Sequence, residues 1–299
     1  MRLSRIPSIE IKTPSQVALM REAGLVVARM LRAVAAAAEP GISTAELDAI
    51  AEREMKAAGA RSSFKGYHGY PATICTSVND QIVHGIPHPD VRLAAGDVLS
   101  IDAGAIVGGW HGDAAITIGV GEITESAAAL LRACEDALWH GLATAVAGRR
   151  LTDISHAVES SALDSGGYGV VREYTGHFIG SAMHMDPAVP NYGRPGRGPT
   201  LSEGMAMAIE PMLVLPAGGI AGSSPLASTA ADTKLLDDGW TVVTADGSIA
   251  AHFEHTVAIT ADGPWVLTAE DGGDAGLAAV AAATAVPAAS DATVGARRA

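Results

Sequence analysis

Asp102 and Asp113 stand on the two arms of the stretch Val98 to Val120, VLSIDAGAIVGGWHGDAAITIGV. Val98, Ile101, Ile106 and Val107 make the first arm apolar; Ile116, Ile118 and Val120 do so for the second. The Gly108-Gly109 pair between them is a hairpin signal. A turn closing on Val107 and Gly108 pairs Ile106 with Gly109 and, in the same register, Asp102 with Asp113. Directly opposed residues on one face have Cβ atoms about 4.5–5.5 Å apart. Two ionised carboxylates that close repel each other. A shared proton would relieve them, and so would a divalent cation; a two-metal site needs ions about 3.5–4 Å apart. One Asp in the turn with the other facing water would relieve them too.

Three further segments carry polar groups inside apolar runs. His177 lies in Thr175-Gly176-His177-Phe178-Ile179-Gly180, where it is a ligand or a satisfied core histidine. Glu210 ends the strand-like run Met205-Ala206-Met207-Ala208-Ile209, and an ionised Glu there is costly unless paired, metal-bound or exposed. In Ala251 to Val257, alternation puts His252, Glu254 and Thr256 on one face, which is solvent or site. Singly, each residue has an ordinary structural explanation. Together, Asp102, Asp113, His177, Glu210 and Glu254 form an oxygen-rich set with one imidazole. That chemistry suits Mn(II), Fe(II), Co(II) or Zn(II) better than a structural zinc. Two divalent ions would balance four carboxylates and hold a bridging hydroxide, a nucleophile at neutral pH.

Composition limits the alternatives. A net charge of −13 argues against a nucleic-acid surface, which needs clustered Lys and Arg. Cys75 and Cys134 are the only cysteines, so no disulfide framework exists and a reducing, cytoplasmic setting is expected. The start MRLSRIPSIEIKTP lacks the apolar core of a secretory signal, and no apolar run is long enough to span a membrane.

The elements that must position these groups follow in order. Residues 1–12 read as an irregular arm. Thr13-Pro14-Ser15-Gln16 opens a helix to about Ala38 with a capping box, and Ser43 to Glu46 opens a second, to Ala58. Thr73–Val78 and Gln81–Val83 read as strands around an Asn79-Asp80 turn, the second presenting His84. Thr124 caps a third helix ending near Gly148; Thr152 starts a fourth ending near Gly166-Gly167. Strands follow at Tyr168–Val171, His177–Ile179, Met205–Ile209, Trp240–Val243 and His252–Ile259. Residues 216–233 read as a mobile loop, and 269–299 as a disordered tail in which the 278–283 Ala run could form a fraying helix. The repeated order predicts an α+β fold: pseudo-symmetric halves, with a curved mixed, largely antiparallel sheet backed by two helix pairs.

The strings GYHGYPATICTSVND, VHGIP, IDAGAIVGGWHGDAA, the His177 segment, AIEPM, DGWTVVTADGS and FEHTVAIT together resemble methionine aminopeptidase type I. The resemblance covers about residues 10–268, in order. It implies a pita-bread fold in one catalytic domain over 13–268. It implies a centre of two divalent ions held by Asp102, Asp113, His177, Glu210 and Glu254, with Asp113 and Glu254 reaching both. His84 and His184 would contact the substrate around the scissile amide, and Glu210 would accept a proton from the attacking water. Tyr67, Tyr70, Cys75, Met212 and Trp240 would form the methionine pocket, groups suited to a thioether. The implied activity is removal of initiator methionine ahead of a small second residue, on nascent chains near the ribosome, by a monomer without nucleic-acid or membrane partners.

Three positions depart from the family pattern. Phe178 replaces a usual Gly beside His177, where its ring could narrow the cleft or reset the loop. Phe64 replaces a frequent Cys, and Met183 a frequent aromatic. Two other readings remain: a proline-directed peptidase of the same fold, which has a large N-terminal domain, and a non-catalytic binding relative, which loses ligands.

Overall fold

In the computed structural model, residues 9–215 and 231–285 are described. Capping fixes where the first helices begin. Helix α1, Pro14–Ala37, starts after Thr13, whose hydroxyl accepts from Gln16 N while the Gln16 side chain accepts from Thr13 N at 2.7 Å. Helix α2, Thr44–Ala57, uses Ser43 and Glu46 in the same reciprocal way. Their apolar faces, including Val27, Met30, Leu47 and Ala51, meet Leu99, Ile101, Ala103 and Ala114 in one core. Helices α3, Glu125–Thr144, and α4, Leu151–Asp164, cover a second core with Phe178, Met207, Ile209 and Val257. Each helix pair therefore backs its own half of the sheet. Helix α3 ends short of Gly148, at Thr144.

The main sheet has nine described strands. Its path runs Arg61–Ser62, Val98–Val107, Trp110–Gly119, Glu254–Thr260, Ala206–Ile209, Gly176–Phe178, Met185–Val189. Ile74–Val78 joins Val98–Val107, and Gly263–Val266 joins Glu254–Thr260. Every described ladder is antiparallel, so the expected mixed character is absent.

The central hairpin corrects the expected register. Val107 pairs with Trp110, Asp102 with Ala115, and Gly104 with Asp113. The turn residues are Gly108 and Gly109, with φ of 58° and 88°. A turn on Val107 would have forced a β-branched residue to positive φ, which is costly. The slip is two residues, so both aspartates keep one face but stand diagonal rather than opposite.

The single strand expected over His252–Ile259 is two, Ala250–His252 and Glu254–Thr260, broken at Phe253. The first pairs with Met212–Val214, the second with the main sheet. The expected tail is also corrected in part. Helix α5, Asp274–Ala285, packs on α3, with Gly276 so close that a Cβ would meet the Trp139 ring at 2.4 Å. Arg21 ties the preceding segment down, donating to the carbonyls of Leu267 at 2.7 Å and Glu270 at 2.8 Å. Residues 286–299 lie outside the described residues, as do 216–230 of the expected loop. Thr233 already belongs to a strand, Thr233–Leu235.

One contact fixes how close α1 lies to the sheet. A Cβ on Gly112 would stand 2.7 Å from Gly24 N, and one on Gly24 would stand 2.3 Å from Leu267 O. Helix propensity alone makes Gly24→Ala stabilising by about 1 kcal/mol. The backbone approach reverses the sign, and a loss of about 1–3 kcal/mol is expected. Denaturant unfolding measures it; an unchanged or raised midpoint would contradict this packing.

Candidate metal centre and substrate pocket

Neighbouring strands each deliver one polar group to the same place. Following the sheet, Asp102, Asp113, Glu254, Glu210 and His177 arise from consecutive strands, with Glu210 one residue past the end of Ala206–Ile209. Period-two alternation turns these side chains to one face and the core residues to the other. Asp102 and Glu254 both pair with Ala115, whose methyl leaves space between them. His177 pairs with Ala208, another small neighbour.

Hydroxyls hold the backbone where the ladder is irregular. Thr256 Oγ1 accepts from Asp113 N at 3.0 Å and donates to Asp113 O at 2.8 Å. Thr117 Oγ1 accepts from His252 N at 2.9 Å and donates to His252 O at 2.6 Å. Asn191 donates to Glu210 O at 2.9 Å.

Burial dominates the electrostatics. It pushes the Asp102 carboxyl up to about 7. It pushes Asp113, Glu210 and Glu254 well above the usual carboxylate range, with the charges of neighbouring carboxylates adding to it. Burial, then His184, pushes His177 down to about 3, so its imidazole is neutral. His177 Nδ1 lies 3.1 Å from the Phe178 carbonyl, which assigns the ring proton to Nδ1 and leaves the Nε2 lone pair facing the centre. That Nε2 is 3.6 Å from Glu210 Oε1.

Among the described residues, Asp102 Oδ1, Asp113 Oδ1 and Glu254 Oε1 are buried with no hydrogen-bond partner. Orphaned oxygens around a common point, together with a neutral imidazole, fit a hard or borderline divalent cation. Two triads have ligand atoms within 4.8 Å of one another: Asp113, His177 and Glu254; and Glu210, His252 and Glu254. Asp102 belongs to neither triad but lines the same cavity. The residues present fit a metal site.

The cavity continues from these carboxylates into an apolar pocket. Its walls are Phe64, Tyr67, Tyr70, Cys75, Met183 and Trp240, with His84 and His184 beside the acids. Tyr70 and Trp240 meet edge-on at 5.0 Å between centroids, and the Tyr70 hydroxyl donates to Ile74 O at 3.0 Å. His84 has φ of 62°, a strained value for a non-glycine residue. His184 Nδ1 is 2.8 Å from the Tyr67 hydroxyl.

Two expectations about the pocket are corrected. Met212 does not line it; the side chain is buried among Ile82, Val83 and Val171 on another sheet. Phe178 does not narrow the cleft, because alternation from His177 sends its ring into the α3–α4 core, 1 % exposed. Phe64 and Met183 line the pocket beyond the residues expected there, and His252 joins the acids. Its signal was the shared face with Glu254.

Comparison with known proteins places the chain in a family. Residues 18–261 match the model of metallopeptidase family M24. Methionine aminopeptidase 1 of Mycobacterium tuberculosis is 53% identical over 254 residues, 83% of this chain and 91% of that protein. The crystal structure of methionine aminopeptidase from Thermotoga maritima superposes with a TM-score of 0.81 at 39% identity, covering 88% of this chain and 100% of that one. Prolidase from Pyrococcus furiosus, 21% identical with a TM-score of 0.67, shares the fold; the match covers 87% of this chain and 65% of prolidase. A metal-fitting set of acids on adjoining strands, an apolar pocket opening on it and these relationships agree: the chain belongs to metallopeptidase family M24, with the methionine aminopeptidases.

Proposed function

We propose that this protein removes the N-terminal methionine from polypeptides whose second residue is small. The observation that carries the reading is continuity: the pocket of Tyr67, Tyr70, Cys75, Met183 and Trp240 shares its floor with the carboxylate cluster. Aromatic and sulfur groups give a thioether polarisable contacts. A methionine seated there has its carbonyl against the acids. The Tyr174 and Trp240 ring centroids lie 5.8 and 6.3 Å from that of His84, and rings so close to a substrate-contacting histidine support a preference for small second residues.

We read Asp102, Asp113, His177, Glu210 and Glu254 as ligands of two divalent ions drawn from Co, Mn, Fe and Zn. Such ions supply Lewis-acid activation of a water and of the scissile carbonyl. The residues do the rest. Glu210 takes the proton from the attacking water. Burial, then His184, pushes His84 down to about 4, so it is a neutral donor at working pH and stabilises the developing oxyanion. With the Tyr67 hydroxyl donating to Nδ1, His184 keeps Nε2–H for the substrate amide. No described helix is long and apolar enough to cross a membrane, and the balance is acidic. The acidic balance supports a protein that does not bind nucleic acid; we place the reaction in the cytoplasm, by a monomer acting on nascent chains near the ribosome and not on a membrane.

Asp113→Ala is expected to lose bound metal and all turnover of Met-Ala-Ser. His84→Ala is expected to keep its metal and to turn over about 100-fold or more slowly. Parent activity in either variant contradicts these roles, and faster cleavage of Ala-Pro than of Met-Ala-Ser would favour a proline-directed enzyme. Metal removal gives a pH signature. Burial raises the native Asp102 carboxyl to about 7, against an ordinary value of 3.8. Between those values the native acid holds a proton that the unfolded chain has released, so rising pH favours unfolding. The chelated protein should therefore lose melting temperature from pH 5 to pH 8, and divalent ions should abolish the loss. A flat profile for the chelated protein would contradict the burial of unpaired acids.

A further inference from the structure

His252 is 1 % exposed, and its Nε2 is buried without a hydrogen-bond partner among the described residues. Such an atom is costly to leave unpaired. It lies 3.7 Å from Glu210 Oε2. The opposite oxygen of that carboxylate, Oε1, lies 3.6 Å from His177 Nε2. Two imidazoles thus bracket Glu210, one per oxygen. They differ in orientation and company. The His177 proton is fixed on Nδ1 by the Phe178 carbonyl, so its Nε2 offers a lone pair. His252 Nε2 has no hydrogen-bond partner among the described residues, so a proton there is available to Glu210.

The backbone of His252 is unusually well held. Thr117 Oγ1 grips both its N–H and its C=O, and Met212 pairs with it across the ladder. The strand break at Phe253 lies between this anchored residue and Glu254, whose carboxylate still comes within 4.8 Å of the His252 ring. A ring on so fixed a stem can orient a neighbour.

We propose that His252 is a positioning residue for Glu210: its Nε2–H closes on Oε2 and holds the carboxylate with Oε1 toward the ions. The 3.7 Å separation is longer than a hydrogen bond, and a small rotation of either side chain closes it. Carboxylates at metal sites depend on such outer partners for their aim, with losses of about 10–100-fold when these are removed. The inference rests on Glu210 as ligand and proton acceptor.

The full chain carrying His252→Leu, His252→Gln or His252→Asn, with Glu210→Gln as reference, is titrated with Co(II) by calorimetry and visible absorption. The same proteins are assayed on Met-Ala-Ser. His252→Leu should bind Co(II) with the parent stoichiometry but altered absorption bands. Its KM should stay within about twofold and its kcat fall about 10–100-fold. His252→Gln, whose amide N–H can reach Oε2, should recover most of kcat; His252→Asn, which is shorter, should not. The Gln–Asn contrast decides the matter if the Leu variant fails to fold. Loss of a Co(II) equivalent in a folded His252 variant would make His252 a direct ligand and overturn the proposal. So would parent kcat in His252→Leu, or equal rates for Gln and Asn. Parent kcat in Glu210→Gln would instead remove the reading of Glu210 on which the inference stands.

Discussion

Four carboxylic acids buried within one cavity constrain the rest of this structure. Each is costly to ionise away from water, and each raises the cost for the others. A fold tolerates such a cluster only if something offsets the desolvation. Unpartnered oxygens are part of that cost; converging from adjoining strands with a neutral imidazole among them, they are arranged so that divalent cations would supply the offset. The sheet accomplishes this convergence. Its antiparallel ladders bring together residues from distant parts of the chain, and alanines at 115 and 208 leave room where the acids meet. The helix pairs hold the sheet from behind, and Gly24 and Gly112 permit α1 to approach the backbone directly.

Much of this was legible in the sequence because it depends on local rules. The capping boxes at Thr13 and Ser43 mark α1 and α2 correctly. The apolar alternation around Asp102 and Asp113 marks the hairpin. A turn on Val107 displaces the register by two residues, although two consecutive glycines already satisfy the turn's need for positive φ. The error preserved the face, which is why the acids still converge. Phe178 could have been placed by the same alternation that places His177. Its neighbour faces the site, so its own ring cannot.

Other features depend on tertiary contacts that no short window contains. The break at Phe253 arises because one segment pairs with two sheets, yet His252 and Glu254 still bring ligand atoms within 4.8 Å of each other. Met212 matches the pocket residues in type, but its side chain is buried with Ile82, Val83 and Val171. The Ala-rich run of α5 has no amphipathic stripe to announce it; it is held by Trp139 packing and by Arg21 clasping the preceding carbonyls. The pocket's chemistry was readable as a set of residue types, whereas its walls, including Phe64 and Met183, are set by how the loops close.

The account stands on cations occupying the space between these acids. Anomalous diffraction from crystals grown with Mn(II) or Co(II), recorded at the metal absorption edge, tests it most directly. Peaks bounded by Asp102, Asp113, His177, Glu210 and Glu254 are the predicted result. A cavity without anomalous density, in a protein that nevertheless cleaves Met-Ala-Ser, would contradict it.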